Sequence, residues 1–249
     1  MVRTALLAML RTREGGAVTT ILLSPSLFSQ GAAAIADEAY HHLFRVKRLQ
    51  AGDRLRVVDG RGAARDARVE SVGKREARLV LGDPVAANEP EIEVELLVAS
   101  PKPERAAWLV EKATEMGVVT IRFVATDREA RSFGDAQIAR LRRIAVSAVE
   151  QCGRALVPAV EDGGDVRDAA ARARAAGATT ILLHAGGARS RPAIAGSGPF
   201  TLLVGPEGGW SPEELAALRE HSTCCWSLGP TVLRVETAAV AGAALLLAG

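Results

Sequence analysis

Between residues 91 and 248 the sequence alternates short apolar runs with helix-forming segments, and this alternation restricts the fold more than any other feature. "IEVELLVAS", "VVTIRFVAT", "TTILLH", "FTLLVG" and "CCWSLG" read as strands, several of them apolar at every position rather than at every second one. Between them "ERAAWLVEKATEMG" has the i, i+3, i+4 apolar spacing and glycine stop of a helix. "AQIARLRRIAVSAVEQCG", "VRDAAARARAAG", "SPEELAALREH" and "VETAAVAGAALLLA" read the same way. Strands that are apolar on both faces need cover on both, so the expectation is an α/β fold with a mostly parallel sheet between helical layers.

The preceding stretch, Ile21 to about Pro84, has a different period. "RLRVVDG", "ARDARVESVG" and "EARLVLG" alternate with period two and close on Gly or Asp-Gly, as antiparallel strands do. With one short helical stretch they form a β-rich domain. "DPVAANEPE", residues 83–91, has no period and marks the boundary, giving domains over residues 19–84 and 91–249. Residues 1–17 fit neither pattern and carry no signal-peptide signature; they are expected to be an extension, disordered or foreign to the fold.

With 249 residues, 48% of them hydrophobic, one or two cores can form. The longest apolar stretch, Ala238 to Ala248, is far short of the roughly 20 residues that span a bilayer, so no membrane and a cytoplasmic location are expected. Cys152, Cys224 and Cys225 form an odd set without CxxC spacing, and the histidines (His41, His42, His184, His221) show no ligand spacing. Neither a disulfide framework nor a metal is expected. Net charge is +2, but eleven Lys/Arg face seven acids between Asp37 and Gly82, which suits a solvated face and a nucleic-acid footprint equally.

The chemistry is written at the strand ends. "FTLLVGPEGGWSPEE" carries a glycine-rich loop into a helix, the usual place for a phosphate, yet Ser211, Pro212 and Glu214 form a capping box that closes the helix start with its own carboxylate. Glu207, Glu213 and Glu214 would repel an anion, and neither GxGxxG nor GxxxxGK[ST] is matched. A neutral or cationic ligand approached closely by backbone suits the loop better. "SLGPTVLRVETAA", residues 227–239, repeats the form after the next strand, and "LLHAGG", residues 182–187, is a third strand end. In a parallel sheet such ends share the edge at which open α/β folds bind ligands.

"LLVGPEGGWSPEE" together with "LGPTVLRVETAAVAGAALLLA" resembles the paired signature of the bacterial small-subunit ribosomal RNA uridine-N3 methyltransferases, of the knotted SPOUT superfamily. "AYHHLFRVKRLQAGDRLRVVDGRG", "ASPKPERAAWLVEKATEMGV" and "AVEQCGR" are similar to that family's earlier segments, so the resemblance runs from about residue 19 onward. "LLHAGGA" departs from the family after His184.

The resemblance implies a C-terminal trefoil-knot domain, a smaller N-terminal PUA-like RNA-binding β-barrel, and a homodimer that methylates N3 of a uridine in 16S rRNA or the small ribosomal subunit. It implies S-adenosylmethionine as cofactor, held by Leu183, His184, Val204, Gly205, Pro206, Glu207, Gly208, Gly209, Leu228, Gly229, Val232, Leu233 and Arg234. Uracil N3 must lose a proton. Arg154 and Arg234 are the candidates for stabilising charge on the uracil oxygens or binding a phosphate, and Glu236 for the base. Arg45, Lys47, Arg48, Arg61, Lys102 and Arg105 are expected to hold RNA, with Arg140, Arg142 and Arg143 extending the path. The alternatives are another RNA methyltransferase of the superfamily, acting on tRNA or on ribose, and a non-catalytic RNA-binding assembly factor.

Overall fold

The computed structural model describes residues 19–192 and 198–248, and the extension expected over residues 1–17 lies outside them. Contacts divide the chain into two units: the residues up to Glu89 together with Val149–Leu156, and Pro90–Ala148 together with Val157 onward.

The first unit begins with β1 (Thr20–Leu22), α1 (Pro25–Phe28), β2 (Ala32–Ala36) and α2 (Asp37–Tyr40), which runs into a π-helical turn at His41–Val46. Then come β3 (Arg54–Val58), β4 (Ala64–Val72) and β5 (Glu76–Val85). The sheet order is β1-β3-β4-β5-β2, antiparallel except where β1 runs parallel to β3. Period-two alternation does the sorting here. Leu55, Val57, Ala67, Val69, Ala77, Leu79 and Leu81 point into one core with Ile21, Ile35, Tyr40, Leu43 and Phe44, while Arg54, Arg68 and Arg78 stay exposed. β1 is too short and β2 too rich in alanine to show a period, and the sequence reading did not separate them.

Glu89 closes this unit. Its carboxylate accepts from Arg154 Nε at 2.9 Å and Nη2 at 2.7 Å, and from the backbone N–H groups of Ala155 and Leu156. Arg154 is 4% exposed. A guanidinium buried to that degree needs such a partner.

The second unit contains β6 (Val94–Ala99), α3 (Pro103–Met116), β7 (Thr120–Ala125), α4 (Asp135–Cys152) up to Ala148, β8 (Ala159–Asp165), α5 (Val166–Ala175), β9 (Thr179–Ala188), β10 (Phe200–Val204), α6 (Pro212–His221), β11 (Cys224–Trp226) and α7 (Val235–Leu247). Its six strands are all parallel, in the order β11-β9-β10-β6-β7-β8. Consecutive strand residues enter opposite cores. Leu96, Phe123, Ile181 and Leu202 pack with α3, α4 and α7, whereas Leu97, Val124, Leu182 and Leu203 pack with α5 and α6. This is the two-sided cover that continuously apolar strands require. Gly242 lets α7 lie close on the sheet, since a Cβ there would stand 2.6 Å from Leu202.

β8 was not foreseen. Its sequence, "AVEDGGD", is acidic and carries two glycines, because as the sheet's edge it buries only Val160 and Gly163.

Candidate functional site

The strands of the sheet are all parallel, so the C-terminal ends of β9, β10 and β11, which are adjacent strands, share one edge. The β9 end is irregular. Cys225 pairs with Leu182 and the next residue of β11, Trp226, pairs with Ala188, so residues 183–187 form a bulge that carries Leu183 and His184. His184 Nδ1 accepts the Gly186 N–H at 3.1 Å. A Cβ on Gly187 would stand 2.7 Å from backbone atoms of Cys225 and Trp226, so only glycine lets the bulge rejoin β11 this closely. This fixed geometry accounts for the sequence after His184.

The β10 loop is pinned from two sides. Trp210 is buried, its Nε1–H donates to the Leu183 carbonyl at 3.3 Å, and its ring lies where a side chain on Gly205 would go. Gly209, with φ of +73°, donates its N–H to Pro206. The capping box forms as the sequence predicts: Ser211 Oγ accepts from Glu214 N–H and Glu214 accepts from Ser211 N–H. Glu214 also accepts the Asp127 N–H at 2.7 Å, and Asp127 accepts from Ser211 Oγ at 2.5 Å and Arg167 Nη2 at 2.6 Å. The Arg167 guanidinium and then the Ser211 hydroxyl hold the Asp127 carboxyl below its ordinary value.

The β11 loop leaves Leu228 and Leu233 half-buried and Val232 90% exposed. Gly229 holds φ of +151°, and nothing lies within 4 Å of where its Cβ would be. Arg234 is the exposed N-cap of α7, and Glu236 is buried in its first turn. Glu236 Oε2 has no hydrogen-bond partner among the described residues, and Oε1 is 3.7 Å from Arg105 Nε. Arg105 Nη1 is ion-paired with Glu207.

A pocket opens beside these loops at the ends of β6, β7 and β10, lined by Ala99, Ser100, Pro101, Lys102, Arg105, Arg128, Glu129, Arg131, Pro206, Glu207, Gly208 and Val235. Lys102, Arg105 and the β10 loop were read from the sequence. Arg128 and Arg131 were not, because "TDREARS" looks like a solvated charged loop; its place after a third apolar strand was the available signal.

Three expectations fall in other surroundings. Arg154 lines no part of this pocket and belongs to the first unit, held by Glu89. Arg45, Lys47, Arg48 and Arg61 are exposed in the first unit, Arg45 lying over the Tyr40 ring. Arg140, Arg142 and Arg143 are exposed on α4, although Arg142 donates to the Val160 carbonyl. Among the described residues no group of three or more His, Cys, Asp or Glu is placed to hold a metal, and no helix is long and apolar enough to cross a membrane.

Residues 88–247 match the profile of a family described as the RNA methyltransferase domain. The chain belongs to this family. Residues 35–82 match a second profile, the RNA methyltransferase PUA domain, so the α/β fold with an N-terminal β-rich PUA domain stands as expected. The Ribosomal RNA small subunit methyltransferase E of Mycobacterium bovis is 34% identical over 236 residues, covering 89% of this chain and 88% of that protein. The protein of the same name from Bacillus subtilis is 26% identical, covering 82% and 85%. A crystal structure of the Neisseria gonorrhoeae enzyme of this name, bound to S-adenosyl methionine, superposes with a TM-score of 0.81 at 26% identity, covering 92% of this methyltransferase and 96% of that chain.

Proposed function

We propose that this methyltransferase uses S-adenosylmethionine to methylate N3 of a uridine in 16S rRNA of the small ribosomal subunit, in the cytoplasm and as a knotted homodimer. One observation carries the reading: three adjacent strand-end loops present backbone at one sheet edge while the α6 N-terminus beside them is already closed by Ser211 and Glu214. Such a site favours a ligand without phosphate, and S-adenosylmethionine carries a sulfonium and an amine instead. The bare Gly229, open above its Cα, lets that ligand approach the main chain. Leu183, His184, the Val204 to Gly209 loop, Leu228, Gly229 and Val232 to Arg234 would enclose it.

When bound, the cofactor supplies an activated methyl group. The chain's part is to place the uracil and take the N3 proton. Glu236 has a buried carboxylate oxygen free to accept it, and Arg234, exposed at the mouth of the same loop, stabilises charge on the uracil oxygens. The exposed cations of the first unit hold RNA backbone. Trp108, Met116 and Leu245 are large apolar side chains left exposed on α3 and α7, two helices that pack together, and a second copy of the chain covers them.

Calorimetric titration with S-adenosylmethionine tests the reading. The wild-type protein binds, and Gly229→Val, which adds a side chain in the open space, loses at least about tenfold in affinity. No heat of binding with folded wild-type protein overturns it.

A further inference from the structure

The pocket at the ends of β6, β7 and β10 has more positive charge than the chemistry above uses. Four cations line it, Lys102, Arg105, Arg128 and Arg131, against two carboxylates, Glu129 and Glu207. Arg105 is committed to Glu207, and Arg131 reaches Glu129 only at 3.8 Å. Lys102 and Arg128 pair with no carboxylate among the described residues. Arg128 Nη1 donates to the Gly208 carbonyl, which uses one of a guanidinium's five donors and fixes the side chain against the β10 loop. Lys102 is the N-cap of α3, and its side chain makes no capping bond. Uracil is neutral, and an excess of fixed cations in a concave site calls for a ligand with a formal negative charge.

We propose that this pocket is a phosphodiester subsite. Arg128 and Arg131, with Lys102, hold a backbone phosphate of the RNA next to the target nucleotide, and so position the base beside the cofactor loops. This rests on the methyltransferase reading and assigns two residues, Arg128 and Arg131, that the motifs at the β9, β10 and β11 ends do not contain. Arg128 touches both the pocket and the Gly208 carbonyl, so RNA seated here abuts the loop that lines the cofactor. The other anion within reach of such a site is the cofactor's own carboxylate, and the two sources separate by experiment.

Lys102→Ala removes a side chain with no ion pair, Arg131→Ala one whose contact is the long 3.8 Å pair with Glu129, and Arg128→Ala the cation held on the Gly208 carbonyl. For each, RNA affinity is measured on purified small subunits across a salt series, and S-adenosylmethionine affinity by calorimetry. The proposal expects each variant to lose about three- to tenfold in RNA affinity and to lower the slope of log Kd against log salt by about one, with cofactor affinity within about twofold of wild type. Unchanged RNA affinity and slope in Arg131→Ala and Lys102→Ala overturns the subsite, as does a loss confined to cofactor binding. A wild-type protein that binds the cofactor but transfers no methyl to small subunits sinks the methyltransferase reading itself, and is distinguishable from both.

Discussion

Glu207 sits on a loop whose glycines invite an anion although it is itself a carboxylate, and its partner explains the contradiction. Arg105 of α3 takes the Glu207 carboxylate and stands 3.7 Å from buried Glu236, so one guanidinium braces the β10 loop and the first turn of α7 together. Glu207 is therefore occupied, whereas Glu236 keeps one oxygen without a partner among the described residues. Glu236→Gln keeps the shape and removes the proton acceptor. Turnover on small subunits should fall by about a hundredfold or more, with cofactor affinity within about twofold; unchanged turnover removes Glu236 from the chemistry. At this scale the sequence is legible where the interaction is local. Ser211, Pro212 and Glu214 spell a capping box that forms as written. Arg154 is the opposite case: its partner, Glu89, is 65 residues away, and no spacing rule links them.

Among the elements, the ends of β7, α5 and α6 are tied by Asp127, which accepts from Arg167 and Ser211 while its N–H donates to Glu214. Because the folded-state pKa of Asp127 is lowered from 3.8, its contribution is present above that value and is lost as pH falls through the lowered one. Urea midpoints followed from about pH 6 to pH 2 should fall less steeply for Asp127→Asn than for wild type, the variant already being less stable near neutrality. Parallel curves would contradict this. Element types were readable in the second unit because strands buried on both faces leave unbroken apolar runs. β8 escaped for the same reason inverted, since an edge strand with two glycines and three acids has no such run. The β9 bulge escaped as well. "LLHAGGA" reads as a strand end, and only the pairing of Ala188 and the backbone contact of Gly187 with β11 show that the strand resumes.

For the molecule as a whole, the sequence announces two units by a change of period, from two in the first to apolar runs and helices in the second. The structure adds that the segment Val149–Leu156 belongs with the first unit, held there through Glu89, which composition could not reveal. The strand-end loops were legible because glycine and proline punctuate them; the cationic pocket beside them was not, since its residues come from three separate strand ends. The central claim is that these parts serve methyl transfer to N3 of a uridine in small-subunit RNA. Nucleoside mass spectrometry of small-subunit rRNA from a strain lacking the gene tests it most directly. The account predicts that N3-methyluridine is absent and returns when the gene is restored, whereas an unchanged level in the deletion strain would contradict it.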